Sequence, residues 1–122
     1  MKTRYMVLVG VLVASGFLQL SAVQPASAAD REIIMESQAF SPQLMTIRVG
    51  DRVRWMNVDK QDHYLTSSGP ETRTVATQVA DLEFHQLMAP GSNFYHSFKE
   101  PGVYAYFCAI HMGMGGTVVV EP

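Results

Sequence analysis

The feature that most restricts the fold of this chain is its rhythm. Beyond residue 30, short β-rich runs alternate with turn signals every ~8–12 residues, and no stretch sustains helical periodicity. Arg31 to Glu36 is the first such run, Phe40-Ser41-Pro42 reads as a turn, and Leu44 to Val49 alternates apolar and polar residues. Gly50-Asp51 reads as a hairpin-type break before Arg52 to Val58, where Val53, Trp55 and Asn57 fall on one face and Arg52, Arg54 and Met56 on the other. Asp59 to Asp62 is polar and loop-like, and His63 to Thr66 begins another strand. Ser67-Ser68-Gly69-Pro70 reads as a loop, and Thr72 to Val79 fits either a strand or a helical turn. Leu82 to Leu87, Asn93 to Phe98, Val103 to Phe107 and Thr117 to Val120 complete the series, with Pro90-Gly91 and Glu100-Pro101-Gly102 as turns between them. The pattern predicts an all-β antiparallel sandwich of about seven to eight strands, with Trp55 as its largest core side chain.

The first thirty residues obey different rules. Lys2 and Arg4 precede an almost wholly apolar Tyr5 to Leu20, and Ala26-Ser27-Ala28 supplies a small-x-small motif. The apolar stretch, interrupted by Ser15, Gly16 and Gln19, falls short of the ~20 residues a spanning helix needs. Residues 1–28 are therefore expected to be a signal peptide, with cleavage after Ala28, or alternatively after Ala29; an uncleaved anchor is the competing reading. Residues 29–122 then form a single domain, too small for two cores. Of the nine Lys and Arg, Lys2 and Arg4 leave with the leader, so the eleven Asp and Glu outnumber the basic residues that remain. That balance provides no basic footprint for nucleic acid.

Exported proteins meet an oxidising compartment and usually carry cysteines in pairs, yet Cys108 stands alone. It ends the run Tyr104-Ala105-Tyr106-Phe107-Cys108, whose alternation points the cysteine inward with Tyr104 and Tyr106. His111 and Met114 follow in a loop rich in glycine (113, 115 and 116), which lets the backbone turn tightly. Thiolate, imidazole and thioether so close together form a soft donor set. A trigonal site of two His and one Cys with a weak axial Met is the arrangement of blue copper. A second histidine must come from His63, His85 or His96. His63 fits best, because it follows the polar loop after the Trp55 strand and so lies at the same end of a sandwich as the Cys108 loop. Asp62 beside it reads as a solvated charge. The competing readings of Cys108 are a buried apolar residue, a nucleophile paired with histidine, and a zinc ligand, for which methionine would be an unusual companion.

At these residues the sequence resembles the cupredoxins, and among them the amicyanin branch. The segment from Phe40-Ser41-Pro42 through Leu44-Met45-Thr46-Ile47-Arg48-Val49-Gly50-Asp51 to Arg52-Val53-Arg54-Trp55-Met56-Asn57 looks like that family's early hairpin. Glu100-Pro101-Gly102-Val103-Tyr104-Ala105-Tyr106-Phe107-Cys108 resembles its penultimate strand. Two residues between Cys108 and His111 and two between His111 and Met114 match the amicyanin ligand loop. The resemblance implies a Greek-key sandwich and one copper ion held by His63, Cys108 and His111 in the equatorial plane with Met114 axial. Met112 is the alternative axial residue. Departures are Ile110 and Met112 flanking His111, where amicyanins carry prolines, and Tyr64 after the first histidine, where many cupredoxins place Asn or Ser.

The expected function is single-electron transfer in the periplasm between redox partners, dehydrogenase-like or cytochrome-like, that dock near His111. The chain is expected to be a monomer with no catalytic residues and no membrane span once the leader is removed. A copper carrier using Met88, Met112 and Met114 is the alternative. An enzyme resembling copper nitrite reductase would need a second metal site and more than the four histidines present.

Overall fold

The computed structural model describes residues 27–70 and 82–122. Among these are nine strands: β1 (Asp30–Glu36), β2 (Ala39–Ser41), β3 (Leu44–Arg48), β4 (Arg52–Asn57), β5 (His63–Pro70), β6 (Phe84–Met88), β7 (Asn93–Ser97), β8 (Gly102–Cys108) and β9 (Gly115–Glu121). They form a four-stranded sheet in the order β2-β1-β4-β7 and a five-stranded sheet in the order β3-β9-β8-β5-β6. The expected sandwich is thus present. The segment Thr72 to Val79 and most of the leader lie outside the described residues.

Three local expectations are corrected. Gly50-Asp51 does not close a hairpin: β3 pairs in parallel with β9, whereas β4 pairs in parallel with β1, so the break carries the chain from one sheet to the other. Gly50 supplies a φ of +92°, and the Asp51 carboxylate then accepts the Arg48 N–H at 3.0 Å. These two parallel pairings also make the sheets mixed rather than wholly antiparallel. Ser67 to Pro70 is not a free loop but the end of β5, with its register against β8 shifted between Ser67 and Pro70. The Ser67 hydroxyl donates to the Ala105 carbonyl at 2.8 Å and bridges this irregularity, where Gly69 takes a φ of +88°.

The core lies between the sheets and is dominated by aromatics. Trp55 is fully buried and contacts Phe84, Phe94, Phe98 and Tyr106 at ring-centroid distances of 5.3–6.4 Å. Ile33, Met35, Val53, Leu65 and Val118 fill the remaining space at zero exposure. Each such side chain contributes roughly 1.5–3 kcal/mol of transfer free energy, so the inward face of every central strand is fixed by burial. Outside, Asp30 pairs with Arg52 at 2.7 Å and Glu32 pairs with Arg54, zipping β1 to β4. This rigid frame presents β5, the end of β8 and the start of β9 at one edge of the molecule, where the candidate ligands gather.

Candidate metal centre

Three histidine and cysteine side chains meet at that edge. The Cys108 Sγ lies 3.7 Å from the Nδ1 of His63 and 3.3 Å from the Nδ1 of His111. All three potential ligand atoms fall within 4.8 Å of one another, and His63 and Cys108 are buried while His111 is half-buried. The group includes no fourth Cys, His, Asp or Glu among the described residues, so a closed zinc site of the usual donors is not assembled. A thiolate with two imidazole nitrogens is instead the equatorial donor set that suits copper.

Each ligand position has a local cause. Cys108 is the last inward residue of β8, buried by the same alternation that buries Tyr104 and Tyr106. Its N–H donates to the Met114 carbonyl at 2.9 Å, closing the loop, and the Ala109 N–H ties the loop to β5 through the Tyr64 carbonyl at 2.9 Å. Gly113, at a φ of +81°, turns the chain back; Gly115 and Gly116 belong to β9 rather than to the turn. Gly116 answers a different demand, since a Cβ there would fall 2.3 Å from the Tyr106 hydroxyl. The loop leaves Met114 buried at 3% exposure and Met112 fully exposed.

His63 opens β5, and its orientation depends on a residue that the sequence reading passed over. Its Nε2 lies 2.9 Å from the Asp59 carboxylate, so the carboxylate accepts the ring N–H and leaves the Nδ1 lone pair facing the sulfur. Asp59 is in turn gripped by the N–H groups of Ser37 and Gln38 at 2.9 and 3.2 Å. The Ser37 contact, followed by the weaker Gln38 and His63 contributions, holds this carboxyl below its ordinary range against the opposing effect of burial. Fully buried Asn57 sets the loop itself, accepting the Asp59 N–H and donating to the carbonyls of Gln61 and Met88. The spacing Asn57-x-Asp59-x-x-x-His63 was visible, but its partners Ser37 and Gln38 were not. Asp62 is exposed, as expected for a solvated charge.

The other two histidines stand elsewhere. His85 meets the Thr66 hydroxyl at 2.8 Å and stacks on Tyr64, and His96 pairs with Glu83 at 2.9 Å among core aromatics. Tyr64 also makes a contact not foreseen from its side chain: its backbone N–H donates to the Cys108 sulfur at 3.3 Å. Because the donor is the main chain, the replacement of Asn or Ser by Tyr at this position leaves it intact.

The family model of copper-binding proteins of the plastocyanin/azurin type matches residues 28–121. The chloroplastic plastocyanin of Tetradesmus obliquus is 36% identical over 118 residues, covering 92% of this chain and 77% of its own. Amicyanin-alpha of Methylorubrum extorquens is 32% identical over 103 residues, covering 84% and 81%. Among solved structures, a reduced amicyanin mutant superimposes with a TM-score of 0.64 at 23% identity over 82% of this chain and 88% of its own. A purple cupredoxin from Nitrosopumilus maritimus superimposes with a TM-score of 0.60 at 29% identity, over 75% and 100%.

Proposed function

Because the chain belongs to the plastocyanin/azurin family of copper-binding proteins, we propose that it is an exported type 1 copper protein that carries single electrons between redox partners. His63, Cys108 and His111 would hold the copper, with the Met114 thioether as the fourth donor. The observation that carries this reading is the convergence of one sulfur and two Nδ1 atoms within 4.8 Å in a pocket held by the protein's own hydrogen bonds. When bound, copper supplies a Cu(I)/Cu(II) couple. The chain's contribution is to keep its donors fixed: Asp59 orients His63, the Tyr64 N–H holds the sulfur, and the Ala109 and Cys108 backbone contacts clamp the loop. Fixed donors minimise reorganisation when the charge of the site changes, which suits electron transfer better than metal release.

His111 is the only equatorial candidate that is not buried. Ile110, at 55% exposure, and fully exposed Met112 surround it with apolar surface, which suits brief docking by a redox partner, dehydrogenase-like or cytochrome-like. Residues 1–28 act as a cleaved leader that delivers residues 29–122, as one domain, to the periplasm. Relatives include plastocyanins and an amicyanin, and we read this chain as a carrier without catalytic residues. No described helix is long and apolar enough to cross a membrane. The copper-carrier alternative rests on Met88, Met112 and Met114, and of these Met88 and Met114 are buried at 1% and 3% exposure while Met112 is exposed, which gives it less support.

The test is to add Cu(II) to the purified mature protein and record its visible and EPR spectra. An intense sulfur-to-copper absorption with narrow hyperfine splitting, abolished in Cys108→Ser, is expected. A colourless adduct would sink the reading.

A further inference from the structure

Far from the metal ligands, the start of β1 presents a second arrangement that electron transfer does not use. The Ala29 N–H donates to Oδ1 of Asp51 at 2.8 Å, and the Ala29 carbonyl accepts the Arg52 N–H at 3.0 Å. Asp51 is only 7% exposed, and its second oxygen takes the Arg48 N–H at 3.0 Å. Ala29 is half-buried, whereas Ser27 and Ala28 immediately before it are exposed and belong to no strand. The fold therefore takes hold of the chain at the Ala29 nitrogen. It does so one residue beyond the small-x-small motif Ala26-Ser27-Ala28.

We propose that the Ala28–Ala29 peptide bond is the processing site, and that Asp51 is a built receptor for the α-ammonium group this cleavage creates. Water adds across the amide under a leader peptidase, leaving a carboxylate on Ala28 and an amine on Ala29 that takes up a proton. The hydrogen bond from a neutral amide to the nearly buried carboxylate then becomes an ion pair as well, because the donor nitrogen gains a positive charge. Cleavage one residue later would discard the Ala29 N–H and C=O together, unpairing Asp51 Oδ1 and the Arg52 N–H. This is the structural reason to choose Ala28 over Ala29 as the cleavage point. The other charged groups around Asp51 include Arg31 on β1, Arg48 at the end of β3 and Glu121 at the end of β9, with the mutually neutralising Asp30–Arg52 pair next in the chain. Arg31 and Arg48 oppose an added cation, Glu121 favours it, and the direct contact to Asp51 dominates because it is the closest.

The assignment rests on the export reading only for the existence of a leader, and is independent of the copper site. The test is to export the full chain from a bacterial host, sequence its N-terminus, and measure acylation of the α-amine by an N-hydroxysuccinimide ester at pH 7. A mature start of Ala29-Asp30-Arg31 is expected. Its α-amine should react about tenfold more slowly than that of the free peptide Ala-Asp-Arg-Glu, since each unit of raised pKa removes tenfold of the reactive neutral form. Asp51→Asn should restore the peptide's rate, and the comparison of wild type with peptide stands even where that variant folds poorly. A start at Asp30, or an Ala29 amine as reactive as the peptide's, would overturn the assignment while leaving the export reading intact. An uncleaved Met1 would overturn both.

Discussion

At the scale of single residues, the candidate centre divides its labour between the proposed ligands and the groups that aim them. His63 offers Nδ1 to the sulfur only because its Nε2–H is accepted by Asp59 at 2.9 Å. Asp59→Ala removes that acceptor, frees the ring to rotate or change tautomer, and orphans the N–H groups of Ser37 and Gln38. We expect copper affinity to fall about 10–100-fold, the usual cost of losing such an outer partner, with the charge-transfer band retained once copper is saturating. A competitive titration against a chelator of known affinity measures this, and unchanged affinity would show Asp59 to be a bystander. This residue also marks how far the sequence could be read. Cys108, His111 and Met114 are close together in the chain, so they could be proposed as one donor set before any fold was known. His63 was legible only once a sandwich placed it at the same end. Asp59 was not legible, because its meaning depends on the turn at Ser37 and Gln38, which adopt φ values of +53° and +57° more than twenty positions away.

At the scale of elements, two glycines and one carboxylate decide how strands meet. Strands flanking Gly50 show the same period-2 pattern whether they pair as a hairpin or split between sheets, so the sequence could not distinguish these outcomes. Tertiary partners decide it: β9 for β3 and β1 for β4. Gly116 was misread in the same manner, as loop flexibility, when its purpose is to admit the ring of Tyr106, whose Cζ would lie 2.4 Å from an added Cβ. That ring is part of the core at 2% exposure, so it has little room to retreat. Gly116→Ala is expected to destabilise by about 1–3 kcal/mol through overpacking, measured by denaturant titration. Asp51, which closes the crossover after β3, gives a pH signature. Backbone N–H donors from Ala29 first and Arg48 second hold its pKa below the ordinary 3.8. A depressed carboxylate pKa stabilises the fold above the unfolded value, and that contribution is lost as pH falls through the lower native value. The Tm of wild type should therefore drop more steeply below pH 3.8 than that of Asp51→Asn, whose curve starts lower and lacks this component. Parallel acid limbs in the two proteins would refute the role.

At the scale of the whole molecule, the candidate ligands gather where neighbouring strands of one sheet end. His63 opens β5, Cys108 closes β8 and Met114 immediately precedes β9, so all three belong to the five-stranded sheet or its loop. Through Asp59, His63 is also coupled to Ser37 and Gln38, in the turn between β1 and β2 of the opposite sheet. A metal held by these side chains would tie β5, β8 and the loop before β9 together, and the unfolded chain has no assembled counterpart of that site. Its binding free energy therefore appears as folding stability. With free copper at a thousand times Kd, the gain is about 4 kcal/mol. At about 4–8 °C per kcal/mol for a domain of this size, calorimetry should show Tm rising by roughly 15–30 °C on loading. Because the donors are already drawn together by protein contacts, the far-UV circular dichroism should hardly change on loading, in contrast to a site that folds around its metal. Cys108→Ser should abolish most of the Tm gain while retaining the apo fold, and Asp59→Ala should retain an intermediate share. A Tm that is indifferent to copper in the wild type would mean that the three side chains converge without capturing the ion.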